Sequence, residues 1–143
     1  MFTQSEADAL IGMRKVFEQA TTIVLPPGSD QSHELVGVDS RERFALDLAR
    51  SSLRLTKVKH QTRARQVVVL VRLDVDGAPH TNPDGQRMEG NHIHLYREGF
   101  EDKWAFPVDP ARFSNLSDIQ QTFVEFCGYC SIVNLPPFQG GLI

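Results

Sequence analysis

The sequence has little of most features that announce a function. Two cysteines in 143 residues exclude a disulfide framework as the source of stability. The longest unbroken apolar run, Val67-Val68-Val69-Leu70-Val71, has five residues, whereas a transmembrane helix needs roughly 20. No membrane partner is therefore expected. The opening residues, Met-Phe-Thr-Gln-Ser-Glu-Ala-Asp, supply neither the basic nor the apolar part of a secretory leader, so a cytoplasmic location is the default. There is no Gly-x-Ser-x-Gly elbow, no phosphate-binding P-loop, no Gly-x-Gly-x-x-Gly and no His-Glu-x-x-His, which removes the common nucleophile, nucleotide and zinc-protease signatures. Repeats, low-complexity tracts and linkers are also missing. The length suits one core, and a single domain over residues 1–143 is expected.

Net charge is small too, at −3, but its distribution is uneven. Residues 1–49 carry −4 and residues 74–143 carry −6, while residues 50–73 carry +7 with no acid at all. The total therefore decides nothing about partners. Arg54, Lys57, Lys59, Arg63 and Arg65 lie in this basic stretch. Such a patch can attract phosphates, or it can pair with the acidic segments beside it.

Thr3 and Glu6 have capping-box spacing, and Leu10, Met13, Val16, Phe17 and Ala20 follow at helical intervals, which predicts a helix over residues 4–20. A short strand is expected at 33–38, then a turn at Asp39-Ser40. The alternation of Phe44, Leu46 and Leu48 within 43–48 predicts a half-buried strand. Further strands are read at 53–59 and, after a turn at 61–64, at 66–75, the last one buried on both faces. Residues 77–90 read as a long irregular loop, and loops of that length are often functional. A strand at 91–96, an irregular segment at 97–110 and a helix capped by Ser117 complete the chain, with Pro136, Pro137, Gly140 and Gly141 in a coil tail. The predicted fold is α+β: a curved antiparallel meander packed by an N-terminal and a C-terminal helix.

Pro79-His80-Thr81-Asn82-Pro83-Asp84-Gly85, followed by His92-Ile93-His94-Leu95-Tyr96-Arg97-Glu98-Gly99 and Asp102-Lys103-Trp104-Ala105, forms a pair of motifs. In these, and in the closing Pro-Pro-Phe-Gln-Gly-Gly-Leu, the chain resembles a bacterial and prophage-borne family of unknown function. The resemblance implies a small accessory protein of mobile genetic elements. It assigns no role to any residue.

The residues themselves offer several constellations. On a strand, His92, His94 and Tyr96 share a face, opposite Ile93 and Leu95. Paired imidazoles can bind a metal, or act as base and acid in turn. Glu98 extends the string toward a cupin-like pattern, but the second cupin motif is missing. A metal site could also combine His92 and His94 with loop groups such as His80, Asp84 or Glu89. Cys127-Gly128-Tyr129-Cys130 has dithiol spacing, but it falls at the end of a helix where the dipole disfavours thiolate. Asp74 and Asp76 share a face with Arg72 and are expected to pair with the basic stretch.

The working expectation is a small metal-independent, toxin-like ribonuclease taking no metal and no cofactor. His80, His92 and His94 supply acid and base, Lys103 is the cation, and Lys57 or Arg97 could replace it. Arg54, Lys57, Lys59, Arg63, Arg65 and Trp104 would hold the RNA. One alternative is a non-enzymatic binding or inhibitor module that engages a protein or nucleic-acid partner through the basic hairpin and long loop. A further alternative is a metal-binding protein with a His-x-His site.

Overall fold

The structure, a computed structural model, describes residues 1–39 and 41–139; Ser40, Gly140 and Gly141 lie outside the described residues. Its elements are α1 (Gln4–Gly12), β1 (Lys15–Phe17), β2 (Asp30–Gly37), β3 (Arg43–Arg50), β4 (Val58–Ala64), β5 (Val68–Val75), β6 (His80–Thr81), β7 (Arg87–Met88), β8 (His92–Leu95), β9 (Ala105–Pro107) and α2 (Ile119–Tyr129). Seven strands form one open antiparallel sheet in the order β1-β2-β3-β4-β5-β8-β9, and β6 and β7 make a separate ribbon inserted before β8. The α+β meander between two terminal helices is the architecture read from the sequence. No described helix is long and apolar enough to cross a membrane.

The sheet has two chemically different faces, set by the period-2 alternation of its strands. One face aligns Leu48, His60, Leu73 and Ile93 across four strands, and beside them Leu46, Thr62, Val71 and Leu95. The core forms here, with Phe123, Phe126 and Cys127 of α2 and Ala7 and Leu10 of α1 buried against it. The other face aligns Ala49, Lys59, Asp74 and His92, and beside them Asp47, Gln61, Arg72 and His94. Strand β5 therefore has one apolar and one polar face, not two buried ones. Leu70 enters the core side through a bulge between Thr62 and Arg63.

Several boundaries differ from the sequence pattern. The first helix stops at Gly12, and Val16 and Phe17 belong to β1, paired with β2. The cause is Lys15, which is fully buried. Its ammonium donates to the carbonyls of Ile11 and Met13 at the end of α1 and of Cys130 at the end of α2, at 2.8 to 2.9 Å. Residues 53–57 are loop, with Leu53 almost fully exposed, and 61–64 are strand, with the hairpin turn at Arg65 and Gln66. Asp118, not Ser117, caps α2 by accepting from the Gln121 amide. Tyr96 lies past the end of β8 and reaches the core, where its hydroxyl donates to the Phe2 carbonyl at 2.7 Å.

Residues 77–90 are irregular only in part, because they carry the short β6–β7 ribbon. Gly85, with φ +90°, closes the turn between β6 and β7. At the base, the Gly77 amide donates to the Gly90 carbonyl at 3.0 Å. Asn82 is buried and ties the ribbon to β9: its amide donates to the Ala105 carbonyl at 2.9 Å and its carbonyl oxygen accepts the Ala105 N–H at 2.8 Å. These anchors lay the ribbon over the polar face where β8 runs. A Cβ on Gly90 would stand 2.7 Å from the Gly77 carbonyl oxygen, too close for either backbone to hold its place. Gly90→Ala is therefore expected to destabilise the protein by about 1–3 kcal/mol, measured by urea unfolding, and to shift the His80 ring signals in an NMR spectrum.

Candidate functional site

Register decides which polar side chains meet. Asp74 stands opposite His92 and Arg72 opposite His94, with Lys59 opposite Asp74 on the other side. Directly opposed Cβ atoms lie about 5 Å apart, so β5 holds its carboxylate and guanidinium against two imidazoles from β8. The ribbon adds the third ring. His80 lies 4.6 Å from His94 and 5.9 Å from His92, centre to centre, and those two rings are 4.9 Å apart.

Each ring has one nitrogen committed to a backbone carbonyl. His92 Nδ1 donates to Glu89 at 2.5 Å, His94 Nδ1 to Asp102 at 2.8 Å, and His80 Nε2 to Lys103 at 2.8 Å. A carbonyl only accepts, so these contacts fix a proton on the outer nitrogen and turn the other nitrogen inward, as a lone pair when the ring is neutral and as an N–H donor when it is protonated. The Nε2 atoms of His92 and His94 converge on one oxygen, Asp74 Oδ2, at 3.0 and 3.2 Å. Both rings are about 1% exposed. Two inward lone pairs facing a carboxylate repel one another unless a proton or a cation lies between them.

Arg72 provides part of that positive charge. Its Nη2 lies 2.9 Å from His94 Nε2 and its Nη1 donates to Asp102 Oδ2 at 3.1 Å. Its buried Nε lies 3.5 Å from Asp74 Oδ2, an ion-pair contact without hydrogen-bond geometry. Burial alone would push the Asp74 carboxyl up. The contact with the His94 ring and the charges of Arg72, His94 and His92 outweigh it and hold the group below the ordinary carboxylate range.

The cluster lies in a cleft of about 710 Å³ lined also by Ser29, Asp30, Arg50, Lys57 and Lys59. Of the residues singled out in the sequence, His80, His92, His94, Lys57 and Lys59 come together here. Lys103 contributes only its backbone carbonyl, and its exposed side chain does not line the cleft. Arg54 pairs with Asp76, Arg63 with Asp47 and Arg65 with Glu42. Trp104 packs between Arg97, 4.6 Å over its ring, and Phe100. Glu98 accepts from the Gln4 amide, Asp84 from the Gln86 amide, and the Glu89 side chain pairs with Arg87. None of these three carboxylates reaches the histidines.

The acid that does reach them is Asp74; of the two carboxylates expected to pair with the basic stretch, Asp76 pairs with Arg54, and Asp74 lies 3.5 Å from Arg72 Nε while also meeting both histidines. The only local signal for Asp74 was its place two residues from Arg72 on a strand. Asp102, which holds Arg72, left no signal. The cysteines lie on the apolar side of the sheet, and both thiols are pushed up by burial, Cys130 to about 12. That is the reverse of what a redox dithiol needs.

Fold and site together define an α+β protein with a histidine–carboxylate cluster in a polar cleft. The chain belongs to DUF6978, a family of unknown function, whose pattern it matches over residues 2–132. No curated protein and no solved structure matches it.

Proposed function

We propose that Asp74, His92 and His94 bind a divalent first-row metal ion, and that the protein is a hydrolase built around it. One observation carries this reading. Two imidazoles whose Nδ1–H groups are tied to backbone carbonyls aim their Nε2 atoms at one carboxylate oxygen, and the three ligand atoms lie within 4.8 Å of one another. Carbonyl-tethered imidazoles are the usual outer support of metal-ligating histidines. Ligands about 2.0–2.2 Å from an ion, as for zinc, stand roughly 3.0–3.5 Å from each other, which is the spacing of the Nε2–Oδ2 contacts. Two nitrogens and one carboxylate suit zinc, cobalt or iron and leave coordination positions for water and substrate. A cation there also removes the repulsion between the lone pairs. The ion's chemistry is to make bound water acidic and to polarise a substrate oxygen. His80 is placed beside it to accept a proton, since its Nε2 is committed to Lys103 and Nδ1 is its free acceptor.

Arg72 is the competitor for the ion in this reading. Its guanidinium must leave His94 Nε2 as the ion enters, and Asp102 is there to hold it. Untagged protein, titrated with Zn²⁺ and with Co²⁺, is expected to bind one equivalent of each. Asp74→Asn and His92→Ala should weaken binding about 100-fold, equivalent to roughly 2.7 kcal/mol, and Arg72→Ala should tighten it. Circular dichroism checks the fold of each variant. Absence of binding by the wild-type protein, or binding untouched by Asp74→Asn and His92→Ala, overturns the reading.

A metal-free ribonuclease is the second reading, and the convergence of three rings beside Lys57, Lys59 and Arg72 favours it. In that case one ring accepts the 2′-hydroxyl proton while a protonated ring donates to the leaving oxygen. RNA cleavage that persists in chelator-treated protein would select it.

A further inference from the structure

We infer that two copies of the chain pair through the groove between α1 and the β8–β9 edge of the sheet, on the side away from the histidines. The groove has a volume of about 570 Å³. Gln4, Asp8, Ile11 and Gly12 form one wall, and their spacing places them along one flank of the helix. Leu95, Arg97 and Phe106 stand across from them. Phe106 is opposite Ile93 in register, so its ring points to the apolar face of the sheet. The cover over that face runs out along this row: Ile93 is 4% exposed, Leu95 is half-buried and Phe106 is 37% exposed.

Composition marks the patch as an interface. Of the large apolar side chains exposed among the described residues, only Phe100 and Phe106 are aromatic, and both lie here. Phe106 lines the groove, while Phe100 packs on Trp104, over which Arg97 reaches from the groove's rim. Aromatic residues and arginine are the types enriched where proteins meet.

Charge selects the partner. The Arg97 guanidinium stacks on the Trp104 ring and pairs with no carboxylate among the described residues. Asp8 accepts from Gln4 Nε2 at 3.0 Å and meets no cation among them. One unpaired cation and one unpaired anion on the same apolar patch are self-complementary. A twofold axis through the patch sets Arg97 of one copy against Asp8 of the other, twice over. A partner of a single sign satisfies only one of the two.

The backbone excludes the other way of using a sheet edge. Asn82 takes both the N–H and the carbonyl of Ala105, and Pro107 has no N–H to give, so β9 cannot accept a further strand. The copies therefore meet through side chains. Their pairing leaves both clefts open, because His94 stands opposite Ala105, on the other face from Phe106. The inference is independent of what the histidines bind.

Sedimentation equilibrium of the untagged protein across a dilution series is expected to show a reversible dimer. Phe106→Asp should raise its dissociation constant by about tenfold or more, since the change enters a twofold interface twice. Asp8→Arg and Arg97→Asp should each weaken the dimer by setting like charges together. An equimolar mixture of those two variants should dimerise again, because each copy then meets the opposite charge at both contacts. Circular dichroism is expected to be unchanged in all three, whose altered side chains are exposed. A monomer at every concentration overturns the proposal, and Phe106-dependent uptake of anilinonaphthalene sulfonate by that monomer would make the groove a small-molecule site instead. A dimer indifferent to Phe106→Asp, or a mixture of the charge variants that stays monomeric, overturns it as well.

Discussion

Replacing Lys15 by methionine is expected to lower the unfolding free energy by about 3–4 kcal/mol, seen as a fall of roughly 10 °C in Tm. The methionine keeps the apolar stem and removes only the ammonium. What is lost is one cation serving two helix ends, since its three acceptors are carbonyls at the C-termini of α1 and α2. Neither helix has another basic residue in its last turn. Hydrogen bonds from a charged donor contribute about 1.5–3 kcal/mol each when isolated, and stranded buried acceptors carry their own cost. Against this stands the cost of burying the charge, which pulls the Lys15 pKa down to about 8. At neutral pH the ammonium is still protonated, so the acceptors win. A buried ion pair replaced by two apolar groups can be neutral or better, but here one partner is backbone and cannot be removed. An unchanged Tm would show that water replaces the ammonium.

Lys15 also shows which parts of the fold were legible in the sequence. The alternation of Phe44, Leu46 and Leu48 and the β-branched centre of β5 are local patterns, and both strands form where those patterns lie. The apolar spacing through Val16 and Phe17 is local too, but it misleads, because a contact 115 residues away in sequence ends the helix. The candidate site divides in the same way. His92 and His94 fall on one face by simple alternation, and the loop does fold over them. Asp74 joins them only through the β5–β8 register, and His80 only because Gly77, Gly90 and Asn82 fix the ribbon. Such pairings depend on non-local register, which no window of sequence contains. The loss of Arg54, Arg63 and Arg65 as free cations has the same origin, since their partners lie 16 to 23 residues away.

The other large effect is acid sensitivity, and it centres on a histidine outside the cleft. His60 lies on the apolar face between Leu48 and Leu73, with Phe126 against its ring at 5.7 Å. It is fully buried, and among the described residues neither ring nitrogen has a partner in hydrogen-bond geometry. Burial lowers its pKa to about 4, the backbone of Lys59 opposing the shift only in part. In the unfolded chain the same ring titrates near 6.5. Between these values the unfolded state binds a proton that the folded state refuses, so stability is complete above pH 6.5 and falls as the pH drops toward 4. The loss over that window is about 3 kcal/mol. Below it both states are protonated and this contribution stops changing. His60→Leu, similar in volume and matched to its leucine neighbours, removes the titration along with two unsatisfied polar atoms. Urea unfolding of both proteins at pH 7, 5.5 and 4.5 isolates the effect. Contributions from the other titrating groups are common to both proteins and cancel in the difference. The variant is expected to be the more stable at pH 7 and to widen its lead by more than 2 kcal/mol at pH 4.5. Parallel pH profiles would mean that His60 finds a partner for its proton inside the fold. A lead at pH 7 with no further widening would trace the gain to packing alone.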